Sequence, residues 1–160
     1  MRVLALDLGE QRIGVALSDP LGWLATPLTV LSCSSREAEL AAIEELARKH
    51  QVEQVVVGYP RSLNGTAGPQ AQRVDRYVEQ LRARLQVPVI LWDERLSTVQ
   101  AERLIREAGK RVRRERIDAA AAAVILQSYL DAQSLTKGSE AQSLTKESET
   151  QRNGHQGGTI

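Results

Sequence analysis

Residues 2–19, RVLALDLGEQRIGVALSD, carry the strongest indication of the fold. RVLALDL is a short apolar run of the kind that forms a buried strand, and IGVALSD predicts a second strand after the polar turn at 9–12. Asp7 lies inside the first apolar run, where an ionised carboxylate is costly unless another group compensates it. The hairpin therefore carries a candidate functional residue.

Outward from this hairpin, the pattern continues with a third strand and then alternates between helix and strand. WLATPLTVL at 23–31 predicts that strand, and its Pro27 marks an edge or a bulge. Ser34 and Glu37 have the spacing of a capping box at the start of a helix over 35–49. The later predicted elements are a strand at 52–59, a loop at 60–72, a helix at 74–85, a strand at 87–94, a helix at 97–108, a basic link at 110–116 and a helix at 117–130.

This order predicts an α/β fold with a five-stranded mixed sheet flanked by helices. We expect a three-strand antiparallel meander plus two strands parallel to the first, joined by right-handed crossovers. Residues 1–131 form the predicted globular domain. Residues 132–160 begin with AQSLTKGSE and AQSLTKESE, an imperfect nine-residue direct repeat, and their polar composition predicts disorder.

Composition excludes several classes of protein. A net charge of +1 argues against a globally basic or strongly acidic protein, and 42% hydrophobic residues suffice for a packed core. The single cysteine, Cys33, cannot form an internal disulfide, and with two distant histidines it cannot build a zinc site. No apolar stretch approaches the roughly 18 residues of a membrane span. We therefore expect a cytoplasmic protein without a membrane partner.

Acidic residues fall at the ends of three separate elements. Asp7 lies near the end of the first strand, Asp93 and Glu94 close the fifth strand, and Asp118 opens the last helix. Together they predict a cage for Mg²⁺ or Mn²⁺, ions that prefer oxygen ligands. Two such ions about 4 Å apart activate water and stabilise the leaving oxygen of a phosphodiester. Because Asp93 and Glu94 point to opposite faces, we expect only one of them to face Asp7.

Each acid also has a simpler interpretation. Asp118 can cap the N-terminus of an alanine-rich helix, which is a common role for aspartate. Asp93 or Glu94 can pair with Arg95 or serve a turn. Asp7 is the hardest to explain in this way, because it lies within an apolar strand.

The segment KRVRRER, residues 110–116, is the densest positive stretch of the chain, with five cations and one anion just before Asp118. Beside a carboxylate site, such a segment holds a polyanion. The alternative is a solvated loop that balances charge. The candidate nucleic-acid-binding residues are Lys110, Arg111, Arg113, Arg114 and Arg116, with Arg12 in the first turn and Arg61 in the glycine-containing loop.

Four segments resemble the signature blocks of the YqgF/RuvX family, bacterial relatives of the RuvC resolvase within the ribonuclease H-like superfamily. They are ALDLGEQRIGVALSD (5–19), VVVGYPRSLNGTAGPQAQ (55–72), WDERLSTVQAE (92–102) and IDAAAAAVILQSYL (117–130). The resemblance covers residues 1–131. It implies a ribonuclease H-like fold and a divalent-metal nuclease that matures the 5′ end of the 16S ribosomal RNA precursor.

The resemblance also implies roles for particular residues. The family's first acidic position falls on Asp7, and its acidic position before the alanine-rich helix falls on Asp118. Its DER block falls on residues 93–95, where Glu94 is the favoured ligand. RuvC resolvases carry a further acid three residues into the last helix, where this chain has Ala121. The metal cage is correspondingly thinner, which disfavours junction resolution.

The leading hypothesis is a metal-dependent nuclease acting on precursor RNA, with ribosomal pre-particles as candidate partners and Asp7, Glu94 and Asp118 as catalytic metal ligands. One alternative is a nuclease for DNA junctions, flaps or single strands, because phosphate contacts and metal ligands are common to both substrates. Another is a non-catalytic nucleic-acid or ribosome-assembly module. A phosphotransferase is disfavoured, because 131 globular residues are too few for the two domains of actin-like kinases. The oligomeric state stays open between monomer and homodimer.

Overall fold

A computed structural model describes residues 1–32, 34–60, 68–93 and 114–152. The elements are β1 (Val3–Leu8), β2 (Ile13–Ser18), β3 (Ala25–Leu31), α1 (Arg36–Lys49), β4 (Gln54–Tyr59), α2 (Pro69–Arg84), β5 (Val89–Asp93) and α3 (Arg114–Arg152). The strands form one sheet in the order β3-β2-β1-β4-β5. The sheet therefore places the first strand of the chain at its centre.

The directions of the strands confirm the predicted mixed sheet. β1 pairs antiparallel with β2, and β2 pairs antiparallel with β3. β4 pairs parallel with β1, and β5 pairs parallel with β4. Residues 3–6 of β1 are fully buried, as expected for an apolar strand with a neighbour on each side.

β3 is an edge strand, and Pro27 lies within it where the pairing is irregular. The register of β2 with β3 shifts between Val15 and Ala16, and Ala16 is paired with Pro27. This position confirms the prediction of an edge or a bulge, because proline has no N–H to donate to a ladder. β3 begins at Ala25, two residues later than the sequence predicts.

The carboxylate of Asp19 explains the late start of β3. Its Oδ1 accepts hydrogen bonds from the backbone N–H of Trp23 at 2.7 Å and of Leu24 at 3.0 Å. These two residues are thereby held in the turn rather than in the strand. The hydrogen bonds from Leu24 and Trp23 lower the pKa of Asp19, because they stabilise the charged carboxylate.

Helices cover both faces of the sheet. Leu4 and Leu6 of β1 pack in one buried cluster with residues of α1 and α2. Val3 and Ala5 point to the other face and pack in a second cluster with residues of α3. The alternation of side chains along one strand thus separates the two layers of the core.

Two helix starts differ from the prediction. Ser35, and not Ser34, caps α1, because its hydroxyl oxygen accepts a hydrogen bond from the N–H of Ala38 at 3.1 Å. α2 begins at Pro69, inside the segment predicted to be a loop. Gly68 before it has an extended backbone, and proline suits the first position of a helix because its fixed φ is already helical.

α3 is longer than the predicted helix at both ends. It begins at Arg114, so the last residues of the predicted basic link are helical, and it continues to Arg152. Residues 1–130 form one compact unit and residues 131–160 a second. The backbone of 132–152 is helical although its composition predicts disorder, and the disorder of 132–160 in solution stays a prediction.

The predicted helix at 97–108 lies outside the described residues. Within the part of the chain that the structure describes, no helix combines the length and the apolar character needed to cross a membrane.

Two leucines of α3 provide a matched test of the packing. Leu126 is fully buried among Val3, Ala5 and Val56, whereas Leu135 is 77% exposed. Leu126→Ala should lower the free energy of unfolding by about 2–5 kcal/mol, because it removes buried apolar surface and leaves a cavity. Leu135→Ala should change it by less than about 0.5 kcal/mol. Urea denaturation measures both, and equal effects would contradict the described packing.

Candidate active site

Asp7 lies on the face of the sheet that α3 covers. It is paired directly with Gly14 of β2, and residues directly opposite each other in antiparallel strands project to the same side. It also shares the alternation of Val3 and Ala5, which pack against α3. The side chain of Asp7 is partly buried. The strand thus directs this carboxylate toward the α3 layer.

Gly14 is the point at which α3 meets the sheet beside Asp7. A Cβ atom at Gly14 would overlap the main-chain carbonyl of Asp118 and would lie 3.2 Å from the nitrogen of Ala119. Only a residue without a side chain allows this approach. Asp7 is the cross-strand neighbour of Gly14, with a Cα separation of about 4.5–5.5 Å for such pairs. Asp7 and Asp118 therefore both lie next to Gly14, one in the neighbouring strand and the other in α3.

The structure excludes the simplest alternative role of Asp118. An N-cap residue precedes the first helical residue, and α3 begins at Arg114. Asp118 therefore lies beyond the first turn of the helix, where its side chain cannot cap the free N–H groups. Its side chain is partly buried, and it borders a cavity.

Asp93 lies on the other face of the sheet. Leu91 packs with the α1 and α2 layer, whereas Trp92 packs with the α3 layer. Asp93 follows Trp92 in β5, so the alternation of the strand returns it to the face of Leu91. Asp93 and Asp7 consequently stand on opposite faces.

The other acidic candidate, Glu94, lies outside the described residues. Among the residues that are described, no three Asp, Glu, His or Cys side chains form a group that could hold a metal ion. Asp7 and Asp118 supply carboxylate oxygens, which are the donors that Mg²⁺ and Mn²⁺ prefer. The donor chemistry fits such an ion.

A cavity of about 450 Å³ joins Asp118 to the turn between β1 and β2. The N–H of Gly9 donates a hydrogen bond to the carbonyl of Arg12 at 2.8 Å, which closes this turn. Arg12 lines the cavity, so a guanidinium is available beside a carboxylate site for contact with a phosphate. The cavity is lined by Gly9, Glu10, Gln11, Arg12, Ile117 and Asp118.

The structure describes few of the other basic candidates. Arg61, Lys110, Arg111 and Arg113 lie outside the described residues. Arg114 and Arg116 belong to the first turn of α3, the helix that carries Asp118.

Gly14 was not among the site residues predicted from the sequence. A signal for it was present, because a glycine inside a strand pattern often marks a close approach of another backbone.

Solved structures with a similar fold are junction resolvases. RuvC from Thermus thermophilus in complex with a Holliday junction substrate matches with a TM-score of 0.59 and 20% identity, covering 85% of this chain and 97% of that one. The fowlpox virus Holliday junction resolvase matches with a TM-score of 0.52 and 14% identity, covering 82% and 99%. The fold is accordingly ribonuclease H-like, as the sequence predicts.

Sequence relatives identify the family more closely. The family model described as "RuvX: Holliday junction resolvase" matches residues 1–132. A protein of Moorella thermoacetica named "Putative pre-16S rRNA nuclease" is 50% identical over 133 residues, 82% of this chain and 95% of that protein. A protein of the same name from Caldanaerobacter subterraneus is 47% identical, over 83% and 98% of the two chains.

The chain belongs to the RuvX family. It is a nuclease that hydrolyses phosphodiester bonds, and its substrate is a nucleic acid. Membership of the family implies dependence on a divalent metal ion.

Substitution of Gly14 tests the contact that positions Asp118. Gly14→Ala should reduce both nuclease activity and stability, because the new methyl group pushes the start of α3 away from Asp7. Gly138→Ala is the control, since that position has open space around it and should keep full activity. Cleavage rates and thermal unfolding of the two variants measure the difference. Unchanged activity in Gly14→Ala would contradict the role assigned to this contact.

Proposed function

We propose that this chain is a divalent-metal nuclease that cleaves precursor RNA and matures the 5′ end of pre-16S ribosomal RNA in the cytoplasm. The proposal is carried by the relatives that bear this name. Two of them are 50% and 47% identical to the chain and are matched over 95% and 98% of their own length. Ribosomal pre-particles that contain the precursor are the proposed partners.

The proposed metal ligands and catalytic residues are Asp7, Glu94 and Asp118, and the proposed ion is Mg²⁺ or Mn²⁺. Two of the three are supported by their common neighbour Gly14, which is paired with Asp7 and lies against the main chain of Asp118. The placement of Asp93 on the opposite face supports the choice of Glu94, the next residue of the chain, as the third.

The chemistry divides between the ion and the protein. When bound, the ion polarises the phosphodiester and stabilises the negative charge that develops on the leaving oxygen. The carboxylates of Asp7, Glu94 and Asp118 would hold the ion. Arg12, which lines the cavity beside Asp118, is placed to donate hydrogen bonds to a phosphate oxygen of the substrate strand.

Basic residues near the start of α3 are proposed to hold the rest of the strand. Arg114 and Arg116 begin the helix that carries Asp118, and Lys110, Arg111 and Arg113 precede it in the chain. Arg61, which precedes α2 in the chain, is proposed to add a further contact. Contacts of this kind go to phosphates and therefore hold RNA and DNA alike.

A second candidate function is cleavage of DNA junctions. The description of the matching family model as a Holliday junction resolvase favours it. Ala121, which stands where RuvC resolvases carry a further acid, disfavours it. Symmetric cutting of a junction would also require a homodimer, whereas trimming of RNA can be carried out by a monomer.

Cleavage assays with matched RNA and DNA separate these candidates. The wild-type protein with Mg²⁺ or Mn²⁺ should cut an RNA that spans the 5′ boundary of pre-16S rRNA faster than DNA flaps, single strands or four-way junctions. Asp7→Asn should slow cleavage at least about a hundredfold, because even groups that only orient metal ligands contribute about 10–100-fold. Chelation by EDTA should abolish cleavage, and added ion should restore it.

The outcomes assign the function. Faster cutting of junctions would replace the RNA proposal with the DNA one. Cleavage that persists at an equal rate in Asp7→Asn would rule out the carboxylate mechanism and favour a non-catalytic module with a contaminating nuclease. Asp75→Asn is the control and should keep the wild-type rate. This residue lies on α2, where it accepts a hydrogen bond from Tyr59, and it is not a proposed metal ligand.

A pair of neighbouring acids tests the third ligand. Glu94→Gln should slow cleavage at least about a hundredfold, as expected for loss of a ligand. Asp93→Asn should slow it far less, because Asp93 projects to the face opposite to Asp7. Cleavage rates at several Mg²⁺ concentrations measure both variants. The reverse order of effects would show that Asp93 is the ligand.

A further inference from the structure

A second cavity lies on the other side of the turn between β1 and β2, against the layer of α1 and α2. Its volume is about 100 Å³. This is well below the roughly 300–1,000 Å³ of pockets for drug-sized ligands. The cavity therefore has room for one small ring rather than for a whole nucleotide.

The floor of this cavity is apolar. Ile13, Val74 and Tyr77 line it, and each of them is no more than 5% exposed. The guanidinium of Arg36 lies over the ring of Tyr77, 4.8 Å from its centroid. A flat ring would bury its faces here at little cost, because the walls are already dehydrated and packed.

The rim of the cavity carries both donors and acceptors. Arg36 and Arg73 supply donors, and Glu10 and Glu39 supply acceptors, so their formal charges cancel. A phosphate would gain no net attraction from such a rim, whereas the polar edge of a heterocycle needs donors and acceptors side by side. Gln70, also on the rim, offers one of each.

Arg36 already contacts two neighbouring side chains. Its guanidinium donates a hydrogen bond to Gln80 at 3.0 Å and lies 3.8 Å from the carboxylate of Glu39. A side chain fixed in this way loses little further freedom on binding. The rim is therefore preorganised at one of its donors.

The two cavities share the turn between β1 and β2. Gly9 and Glu10 line both cavities, which lie on opposite sides of the turn. Leu8, which also lines the smaller cavity, follows Asp7 directly in the chain. A strand whose phosphate lies beside Asp7 and Asp118 would thus pass within reach of the smaller cavity.

We propose that the smaller cavity binds one unstacked nucleobase of the substrate strand, close to the scissile phosphate. This inference rests on the proposed function and adds a basis for site selection. Single-stranded RNA is commonly recognised through bases that leave the stack and enter a pocket of mixed polarity. The pocket would let the nuclease choose a position along the strand, which contacts with phosphates alone cannot do.

Binding of RNAs with single abasic sites tests the proposal. The protein carries Asp7→Asn so that the RNA stays intact, and an abasic site is moved along an oligonucleotide that spans the 5′ boundary of pre-16S rRNA. One position should raise the Kd about tenfold, as expected for the loss of one stacked base, and the others should have little effect.

Variants of the cavity complete the test. Val74→Leu adds a methylene group to the cavity, so the abasic site should no longer raise the Kd at any RNA position. Val74→Ala enlarges the cavity, so the effect of the sensitive RNA position should remain. Thermal unfolding verifies that both variants are folded. Gln70→Trp at the exposed rim is a second way to close the mouth without changing the core.

Each outcome bears on the proposal in a defined way. A flat abasic profile, or a position effect that survives both Val74→Leu and Gln70→Trp, would overturn it. Sensitivity to a neutralised phosphate linkage without sensitivity to an abasic site would show a phosphate site instead. Cleavage of the unmodified RNA by the wild-type protein is measured separately. If the wild-type protein does not cleave the RNA but one abasic position still weakens binding, the proposed hydrolytic function is wrong and the base pocket is retained.

Discussion

The contact between the main chains of Gly14 and Asp118 is the constraint on which the site depends. The helix that carries Asp118 can reach the sheet only because β2 has no side chain at this position. The same helix covers Val3 and Ala5 with small residues such as Ala122, which is fully buried. The same position of α3 is therefore needed for packing the core and for placing Asp118. A change that lifts the helix would cost buried apolar area and would move the carboxylate at the same time.

Much of the fold could be predicted because the period of the apolar residues changes clearly from strand to helix. The boundaries were less predictable, and the start of β3 shows why. Gln127 of α3 accepts a hydrogen bond from the N–H of Ala25 and donates one to the carbonyl of Trp23. Together with Asp19, it determines where pairing begins. A partner more than 100 residues away in the chain leaves no local pattern in the sequence around the turn.

The candidate site could be predicted where an acidic residue lies within or beside an apolar segment. Asp7 stood out because it interrupts an apolar strand, and Asp118 because it stands directly before an alanine-rich run. The smaller cavity gave no such signal, since its residues are ordinary for their elements. Tyr77 reads as a core residue of α2 and Arg36 as a solvated charge at the start of α1. Only the folded chain places that ring and that guanidinium against the same turn.

Pro27 also affects the chain while it is being synthesised. The meander of β1, β2 and β3 leaves the ribosome before any of the helices that cover it, and among the described strands β3 has a partner on one side alone. Open edges recruit strands from other unfinished chains and start aggregates. Because proline offers no N–H and the register shifts beside it, that edge is a poor template for a foreign strand. One imino acid thus protects the nascent protein during the interval before its helices arrive.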